Sequence, residues 1–485
     1  MAATLAKLAG SDARVPSGAE KLAVTGLTAD SREVQPGFLF AALPGTTTDG
    51  AAYIPQAIAK GATAIVCAPG HPISGAAAIE TANPRRLFSL MAARFFGAQP
   101  DLVVAVTGTN GKTSVASFVR QIWLSMGFRA ASLGTIGVVG PEGSTYLQHT
   151  TPDPVQLHQI AAELAHDHVE HLALEASSHG LAQHRLDGLR VAAAAFTNLT
   201  HDHLDYHASF DEYFDAKMRL FEELLPQGSP AVVNMDGAYG AQAAKRAEKA
   251  GLRIYGVGAK GKALTLVKAE RDGFGQRLEL KTARGNYSVY LPLVGGFQTS
   301  NALVAAGLVI ASGGEEALAI HALELLKGAK GRLDLVGRTA KGAPVFVDYA
   351  HTPDALQNAL EALRPYVKGK LSVVFGCGGD RDKGKRPIMG AIASKLADRI
   401  YVTDDNPRNE DAASIRAAIM AEAKGATEIG DRAEAIRVAT HALGADDILL
   451  VAGKGHEEGQ TIGKAVIPFS DHEAVRAALG EAAHG

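Results

Sequence analysis

Residues 107–113 read Thr-Gly-Thr-Asn-Gly-Lys-Thr and follow directly on the apolar run Leu102 to Val106. The order apolar run, glycine-rich turn, Lys-Thr constrains this part of the chain to a strand, a tight loop and a helix, and gives the loop a nucleoside triphosphate to hold. Glycines let backbone N–H groups close around phosphate oxygens, and the helix that follows aims its N-terminus at them. Lys112 would neutralise the β- and γ-phosphates, and Thr113 would offer its hydroxyl to Mg²⁺. Val115, Phe118, Val119, Ile122, Trp123 and Met126 recur at i, i+3, i+4, i+7, i+8 and i+11, one apolar stripe on a helix. A standard P-loop has a further glycine five residues before Gly111, where this chain has Val106, so the loop is the shortened form G-x-x-G-K-T. The competing reading is a chance glycine-rich turn before a helix.

The rest of the chain suits a multidomain enzyme. Its 485 residues suggest about three domains at about 150 residues each. The balance of 48 Lys and Arg against 51 Asp and Glu gives a net charge of −3, which makes no electrostatic case for nucleic acid or an anionic membrane. Cys67 and Cys377 are the only cysteines, with no C-x-x-C pair, so neither a disulfide framework nor a zinc site is expected and a reducing, cytoplasmic setting is. Met1 to Gly10 lacks the pattern of a signal peptide, and no run of 18 apolar residues is present to span a membrane.

Three segments follow one another. The first, residues 1–99, has short apolar runs at Gly37 to Leu43 and Ala62 to Cys67, separated by loops rich in small hydroxyl and acidic residues. Read alone, those loops are turns. The second, residues 100–333, repeats apolar strands at Leu102 to Val106, His171 to Leu174, Val191 to Phe196 and Ala231 to Asn234 with helical patterns between them. That alternation predicts a mainly parallel sheet wrapped by helices. The stretch Leu264 to Leu293 alternates and predicts an antiparallel appendage. The third, residues 334–485, has strands at Val345 to Val347, Leu371 to Phe375, Arg399 to Val402 and Ile448 to Val451. Each runs straight into a polar loop, and open α/β sheets bind ligands at the carboxyl ends of their strands.

Glu175 follows the strand beginning at His171 and reaches the same sheet edge as the phosphate loop, which makes it a candidate Mg²⁺ ligand. The next strand ends in Asn198-Leu199-Thr200-His201-Asp202-His203-Leu204-Asp205-Tyr206-His207, rich in possible ligands. His166, His168 and His171 precede a strand and are read as surface. Lys217, among aromatic and apolar neighbours in a helix, reads locally as a snorkelling lysine.

Together these residues resemble the Mur ligases, ATP-dependent amide-forming enzymes of peptidoglycan synthesis. The matching pieces are Thr107–Thr113, Glu175–Arg185, Asn198–His207, Asp215–Lys217, Asp348–Asp354, Gly376–Arg386, Asp405–Arg408 and Gly453–Glu457, in order across all three segments. The resemblance implies an α/β chain of three domains: a small N-terminal domain that binds UDP, a central P-loop-like parallel sheet, and a C-terminal Rossmann-like domain. It implies a catalytic set of Lys112, Glu175, His203 and Lys217, with Lys217 as a carbamate formed from CO₂. Thr113, Glu175, His203 and that carbamate would hold Mg²⁺. ATP would be held by Gly108, Thr109, Asn110, Gly111, Lys112, Thr113, Asn301, Arg332 and Asp348. Ala29, Ser31, Thr46, Thr47 and Thr48 would hold the UDP-sugar, and His149, Thr150, Thr151, Ser177, Gln183 and Arg185 the muramoyl dipeptide. His149 and Gln298 stand where relatives commonly carry Asn.

The resemblance is strongest to members that add meso-diaminopimelate to UDP-N-acetylmuramoyl-L-alanyl-D-glutamate. The chemistry of the third-segment loops agrees with this. Diaminopimelate carries a carboxylate and an ammonium at its far end, whereas lysine carries the ammonium alone. Arg408, in Asp405-Asn406-Pro407-Arg408, offers a planar fork for that extra carboxylate. Arg381 matches a second carboxylate-binding group, and Gly453 and Glu457 match receivers of the ammonium. The partners implied are small molecules, and the chain is expected to be a monomer. The alternatives are a lysine-adding Mur ligase, a folylpolyglutamate synthetase-like ligase, a P-loop kinase or NTPase, and a nucleotide-binding regulator without chemistry.

Overall fold

Apolar residues on both faces of a strand require cover on both sides, and the strands of this chain are of that kind. In the computed structural model, which describes residues 2–45, 49–147, 149–200, 206–207 and 209–480, they assemble into mainly parallel sheets flanked by helices. Thr46–Thr48, Gln148, His201–Asp205 and Ala208 lie outside the described residues. The chain divides into two units. One comprises Met1–Val267, Leu280–Tyr287 and Asn301–Ala322, and the other Lys268–Glu279, Ser288–Ser300 and Leu323–Gly485.

The first unit contains a small antiparallel pair, Ala3–Thr4 with Ala23–Val24, and two larger sheets. Gly26–Thr28, Phe38–Ala41, Ala64–Cys67 and Ala77–Glu80 pair in parallel in that order. The larger sheet has Leu102–Thr107 at its centre, with His171–Glu175 on one side and Val191–Phe196 on the other, all parallel. Ala130–Gly134 extends it beyond His171–Glu175, and Pro230–Asn234 and Arg253–Gly258 extend it the other way. Val103, Val104, Ala105 and Val106 are all buried, as a central strand covered on both faces requires. The strands Leu264–Asp272, Gly275–Lys281 and Asn286–Leu291 bear out the β-rich stretch.

Helix starts follow the local sequence. Asp153 caps Pro154–His166 through its carboxylate, and Ser209 caps Phe210–Arg219, whose first turn carries Asp211 and Glu212. The helix Lys112–Ser125 has no side-chain cap; it begins at Gly111, held at φ +90°. His166 and His168 are exposed, but His171 corrects the surface reading. It is half-buried at the head of its strand, with its ring 4.9 Å from Trp123 and 4.3 Å from Phe128, and burial pushes its imidazole pKa down. The apolar stripe of the phosphate-loop helix supplies the indole against which it packs.

In the second unit the strand Pro344–Asp348 pairs in parallel with Ile448–Ala452, then Leu371–Phe375, then Arg399–Val402, with Asp334–Arg338 antiparallel on the outer side. Alternation along each strand feeds two cores. Phe346, Val373, Phe375 and Leu450 pack with Leu356, Leu360 and Met389, while Val345, Val347, Val374, Leu449 and Val451 pack with Ile436, Ala439 and Val475. Beneath the carboxyl edge lies a fully buried ion pair. Arg432 Nε and Nη2 donate to Asp471 Oδ1 and Oδ2 at 2.7 and 2.8 Å, and Arg432 also donates to the carbonyls of Asp404 and Ala452. Removing one partner of such a pair strands a buried charge. Asp471→Ala is expected to lower unfolding stability by about 3–5 kcal/mol in urea titration, whereas Glu434→Ala, at the exposed pair with Arg437, changes little. Equal, small losses for both would contradict the placement of Arg432.

Candidate active site

In the first unit the phosphate loop leaves the strand at Thr107 and is fastened to the end of the neighbouring strand. Thr109 N donates to Asn198 O at 2.9 Å, Asn110 N to Asn198 Oδ1 at 3.0 Å, and Thr197 Oγ1 to Asn110 O at 2.6 Å. Gly108 has φ +145°, and a Cβ there would collide with the Thr197 hydroxyl; one at Gly111 would collide with the Asn301 amide. Both glycines are therefore required by close approach, and the Asn301 amide lies against the loop at Gly111. Lys112 Nζ donates to the carbonyls of Gly108 and Thr109, both at 2.8 Å.

Lys217 departs from its local reading. It does not snorkel: it is 1% exposed, its Nζ donates to the Gly108 carbonyl at 3.0 Å, and it lies 4.3 Å from the centre of the Tyr213 ring. Tyr213 OH is in turn 3.1 Å from Thr109 Oγ1. The helix Phe210–Arg219 thus delivers an amine to the phosphate loop.

Glu175 ends its strand at 1% exposure. Thr135 N donates to Oε1 at 2.7 Å, while the hydroxyls of Thr135 and Thr113 donate to Oε2, each at 3.1 Å. Gly134 has no Cβ because one would overlap that carboxylate. A buried carboxylate met by hydroxyls is a hard, oxygen-only donor set, which fits Mg²⁺, and burying a negative charge favours a cation beside it. Thr113 and Glu175 of the expected metal set are together; His203 lies outside the described residues.

Around the same strand end, Thr150 Oγ1 is 3.0 Å from Thr135 Oγ1, and Thr151 Oγ1 donates to Glu175 O at 2.9 Å. Ser177 Oγ donates to Thr151 Oγ1 at 3.1 Å. Arg185 Nη1 donates to Thr151 O at 2.6 Å and Nη2 to Gln183 Oε1 at 2.7 Å. These five are one network; His149 is exposed beside it. After the strand Gly26–Thr28, Ala29 is exposed and Ser31 is buried, bonded to Gln56 at 3.1 Å. Thr46, Thr47 and Thr48 lie outside the described residues.

In the second unit the strand ends carry the remaining groups. Asp348 accepts from Leu333 N at 2.6 Å and Ala350 N at 2.8 Å. Burial pushes its carboxyl pKa up, against the lowering pull of the Arg332 guanidinium. Arg332 lies over the Tyr349 ring at 4.7 Å, and Gln298 donates to its carbonyl at 3.0 Å. Arg408 stands in the left-handed region at φ +51°. Its backbone is clamped by the strand Gly459–Ile462 and the turn after it: Arg408 N donates to Thr461 O at 3.0 Å, and Gly463 N to Arg408 O at 2.7 Å. Its Nη1 donates to Gly379 O at 2.8 Å. Asp405, Asn406 and Pro407 are buried; a Cβ at Gly453, φ +120°, would collide with Asp405 Oδ2. Asn406 Nδ2 reaches Glu457 Oε2 at 2.9 Å. Arg381 is exposed on the loop between Gly376 and Lys385.

Three family models match the chain: the Mur ligase family catalytic domain over residues 23–95, the Mur ligase middle domain over 106–309, and the Mur ligase glutamate ligase domain over 331–455. A UDP-N-acetylmuramoyl-L-alanyl-D-glutamate--2,6-diaminopimelate ligase of Brucella melitensis biotype 1 is 55% identical over 466 residues, covering 96% of each chain. The chain belongs to the Mur ligase family. A solved structure of a ligase of that same name matches this Mur ligase at 31% identity with a TM-score of 0.74, covering 99% of both chains. The folylpolyglutamate synthase of Mycobacterium tuberculosis, solved with ADP, shares the fold at a TM-score of 0.62 and 18% identity over 75% of this chain and 91% of its own.

Several residues of this Mur ligase's site escaped the sequence. Thr135 was findable, since it too follows a strand at the carboxyl edge. Tyr213 carries no local signal that separates it from a core aromatic, and Lys454, inside the matching piece Gly453–Glu457, carries none for its burial. His456 is buried, 4.9 Å from the Tyr349 ring, with no hydrogen-bond partner for Nδ1 among the described residues. Burial pushes its pKa down to about 3, with Arg332 and Lys330 adding to the shift. The unfolded value is near 6.5, so the neutral ring contributes stability that is complete above that pH and is lost as pH falls towards 3. Urea midpoints of wild type and His456→Gln are expected to converge, or cross, as pH falls from about 6.5 to 4. A constant gap would contradict the buried neutral imidazole.

Proposed function

We propose that this Mur ligase joins meso-diaminopimelate to UDP-N-acetylmuramoyl-L-alanyl-D-glutamate, converting ATP to ADP and phosphate, as a monomer in the cytoplasm. Among the described residues no helix is long and apolar enough to cross a membrane. The domains of this reading are 1–99 for the UDP-sugar, 100–333 for ATP and 334–485 for the amino acid.

The dipeptide carboxylate attacks the γ-phosphorus, ADP leaves, and an acyl-phosphate results. The free amine then attacks the acyl carbon, and phosphate leaves as the amide forms. Such transfer needs positioning and charge neutralisation more than covalent help. Gly108 to Gly111 supply backbone amides, Lys112 a cation, and Asn301 holds the nucleotide side, with Arg332 and Asp348 contributing to ATP from their strand end. Thr113, Glu175 and His203, with a carbamate on Lys217, would hold Mg²⁺, which when bound neutralises phosphate charge. Carbamylation needs a neutral amine, the form that burial favours. Thr150, Thr151, Ser177, Gln183 and Arg185 would orient the dipeptide, with His149 at their margin, and Ala29, Ser31 and Thr46 to Thr48 the UDP-sugar.

The observation that carries the choice of diamino acid is Arg408, fixed in a strained backbone conformation by two backbone hydrogen bonds. A lysine-adding site has no carboxylate for that fork to bind. Arg381 would add a second cation; Asp405, Asn406 and Pro407 shape the loop; Gly453 and Glu457 would take the ammonium.

Two variants test the assignments. Arg408→Ala is expected to raise KM for diaminopimelate by about 10- to 100-fold while KM for ATP stays within about twofold; equal changes in both would count against it. Lys217→Ala is expected to lose at least about 100-fold in kcat, with partial recovery on adding a short carboxylate. Full activity in this variant would remove Lys217 from the site.

A further inference from the structure

Lys454 follows the strand Ile448–Ala452 and is 0% exposed, a burial that lysine rarely reaches without partners. Its Nζ donates to Asn406 Oδ1 at 3.0 Å and to Glu457 Oε2 at 3.1 Å. Asn406 Nδ2 donates to the same Glu457 Oε2 at 2.9 Å. The three side chains close a triangle between two loops on one sheet edge. Thr461 N also donates to Asn406 Oδ1 at 2.9 Å, and Thr461 O holds Arg408 N, so the triangle is continuous with the clamp on Arg408. Glu457 Oε2 is thereby doubly engaged, while no hydrogen bond from the described residues reaches Oε1. The Glu457 side chain is about one-third exposed, whereas Lys454 is closed off.

We propose that Lys454 is a positioning residue for recognition of the incoming diamino acid: it locks Oε2 of Glu457 so that Oε1 is presented to the ammonium of the substrate's zwitterionic tail. This rests on the reading of this site given above. Lys454 touches no substrate; it acts through Glu457. A carboxylate turns freely about its last bond, and an ammonium bound by a freely turning group must itself fix that rotation. The Lys454 and Asn406 bonds fix it beforehand. They also set the ammonium receiver at a constant spacing from Arg408, the carboxylate receiver, because Asn406 belongs to both networks. A tail carrying both charges is then read by two groups that cannot move independently, and a tail with the ammonium alone engages half of the device.

The test is a double-mutant cycle on the full-length enzyme, with ATP, the UDP-muramoyl dipeptide and diaminopimelate as substrates. Lys454→Met is expected to raise KM for diaminopimelate about tenfold and to leave KM for ATP and for the dipeptide within about twofold. In a Glu457→Gln background the same substitution is expected to add less than about twofold, since the group it positions is gone. Lys454→Gln, which keeps a donor in the buried place, carries the same cycle should Lys454→Met fail to fold. A KM for diaminopimelate unchanged by Lys454→Met, an equal rise for all three substrates, or effects that multiply across the cycle would overturn the proposal. Wild type that forms no amide with diaminopimelate would overturn the functional reading itself, a separate result read from wild type alone.

Discussion

The carbonyl of Gly108 is the point on which the phosphate-loop cluster of the first unit depends. Two amines, from Lys112 one turn along and Lys217 more than a hundred residues on, converge on that one oxygen at 2.8 and 3.0 Å. They can do so because Gly108 adopts φ +145° with no Cβ, letting the loop lie against Thr197 and Asn198 of the next strand. Any side chain at Gly108 would push the loop off the strand end and separate the two amines. Glu175, on the other side of the central strand, accepts the Thr113 hydroxyl from the first turn of the helix that the loop begins. Two amines and a carboxylate are thus held around one short turn of backbone.

The strand-end loops of the second unit are organised by a different constraint. Parallel strands all end on one edge, and the loops after Asp348, Phe375, Val402 and Ala452 leave the second sheet together. The buried pair Arg432–Asp471 reaches up to the carbonyls of Asp404 and Ala452, the residues at which two of those loops depart. Above it, Lys454 joins Asn406 to Glu457. A bare loop of Asp-Asn-Pro-Arg would sample many conformations; here its backbone and side chains are tied to neighbouring loops, so Arg408 is presented in one geometry.

Most of this was legible in the sequence because periodicity and strand ends are local facts. The helix stripe from Val115 predicted Lys112–Ser125, and the four third-segment strands appeared with their loops on one edge. The resemblance supplied residue roles that spacing alone could not. Burial was not legible. Lys217 reads locally as a snorkelling lysine and Lys454 as one residue of a polar loop, yet the first is delivered to a carbonyl by a helix and the second is enclosed between two loops. His171, read as surface, is stacked against Trp123 and Phe128 because the neighbouring helix brings the indole there. Each case is decided by tertiary packing, which a one-dimensional pattern does not carry.

The central claim is that triphosphate cleavage activates a carboxyl group for attack by a diamine whose tail is sorted by a guanidinium. It is tested most directly by offering the enzyme ATP, the UDP-muramoyl dipeptide and equal amounts of diaminopimelate and lysine, then weighing the nucleotide products. The account predicts one new mass, the dipeptide plus diaminopimelate less one water, with ADP formed in equal amount. Comparable yields of the lysine adduct, or ADP released with no amide product, would contradict it.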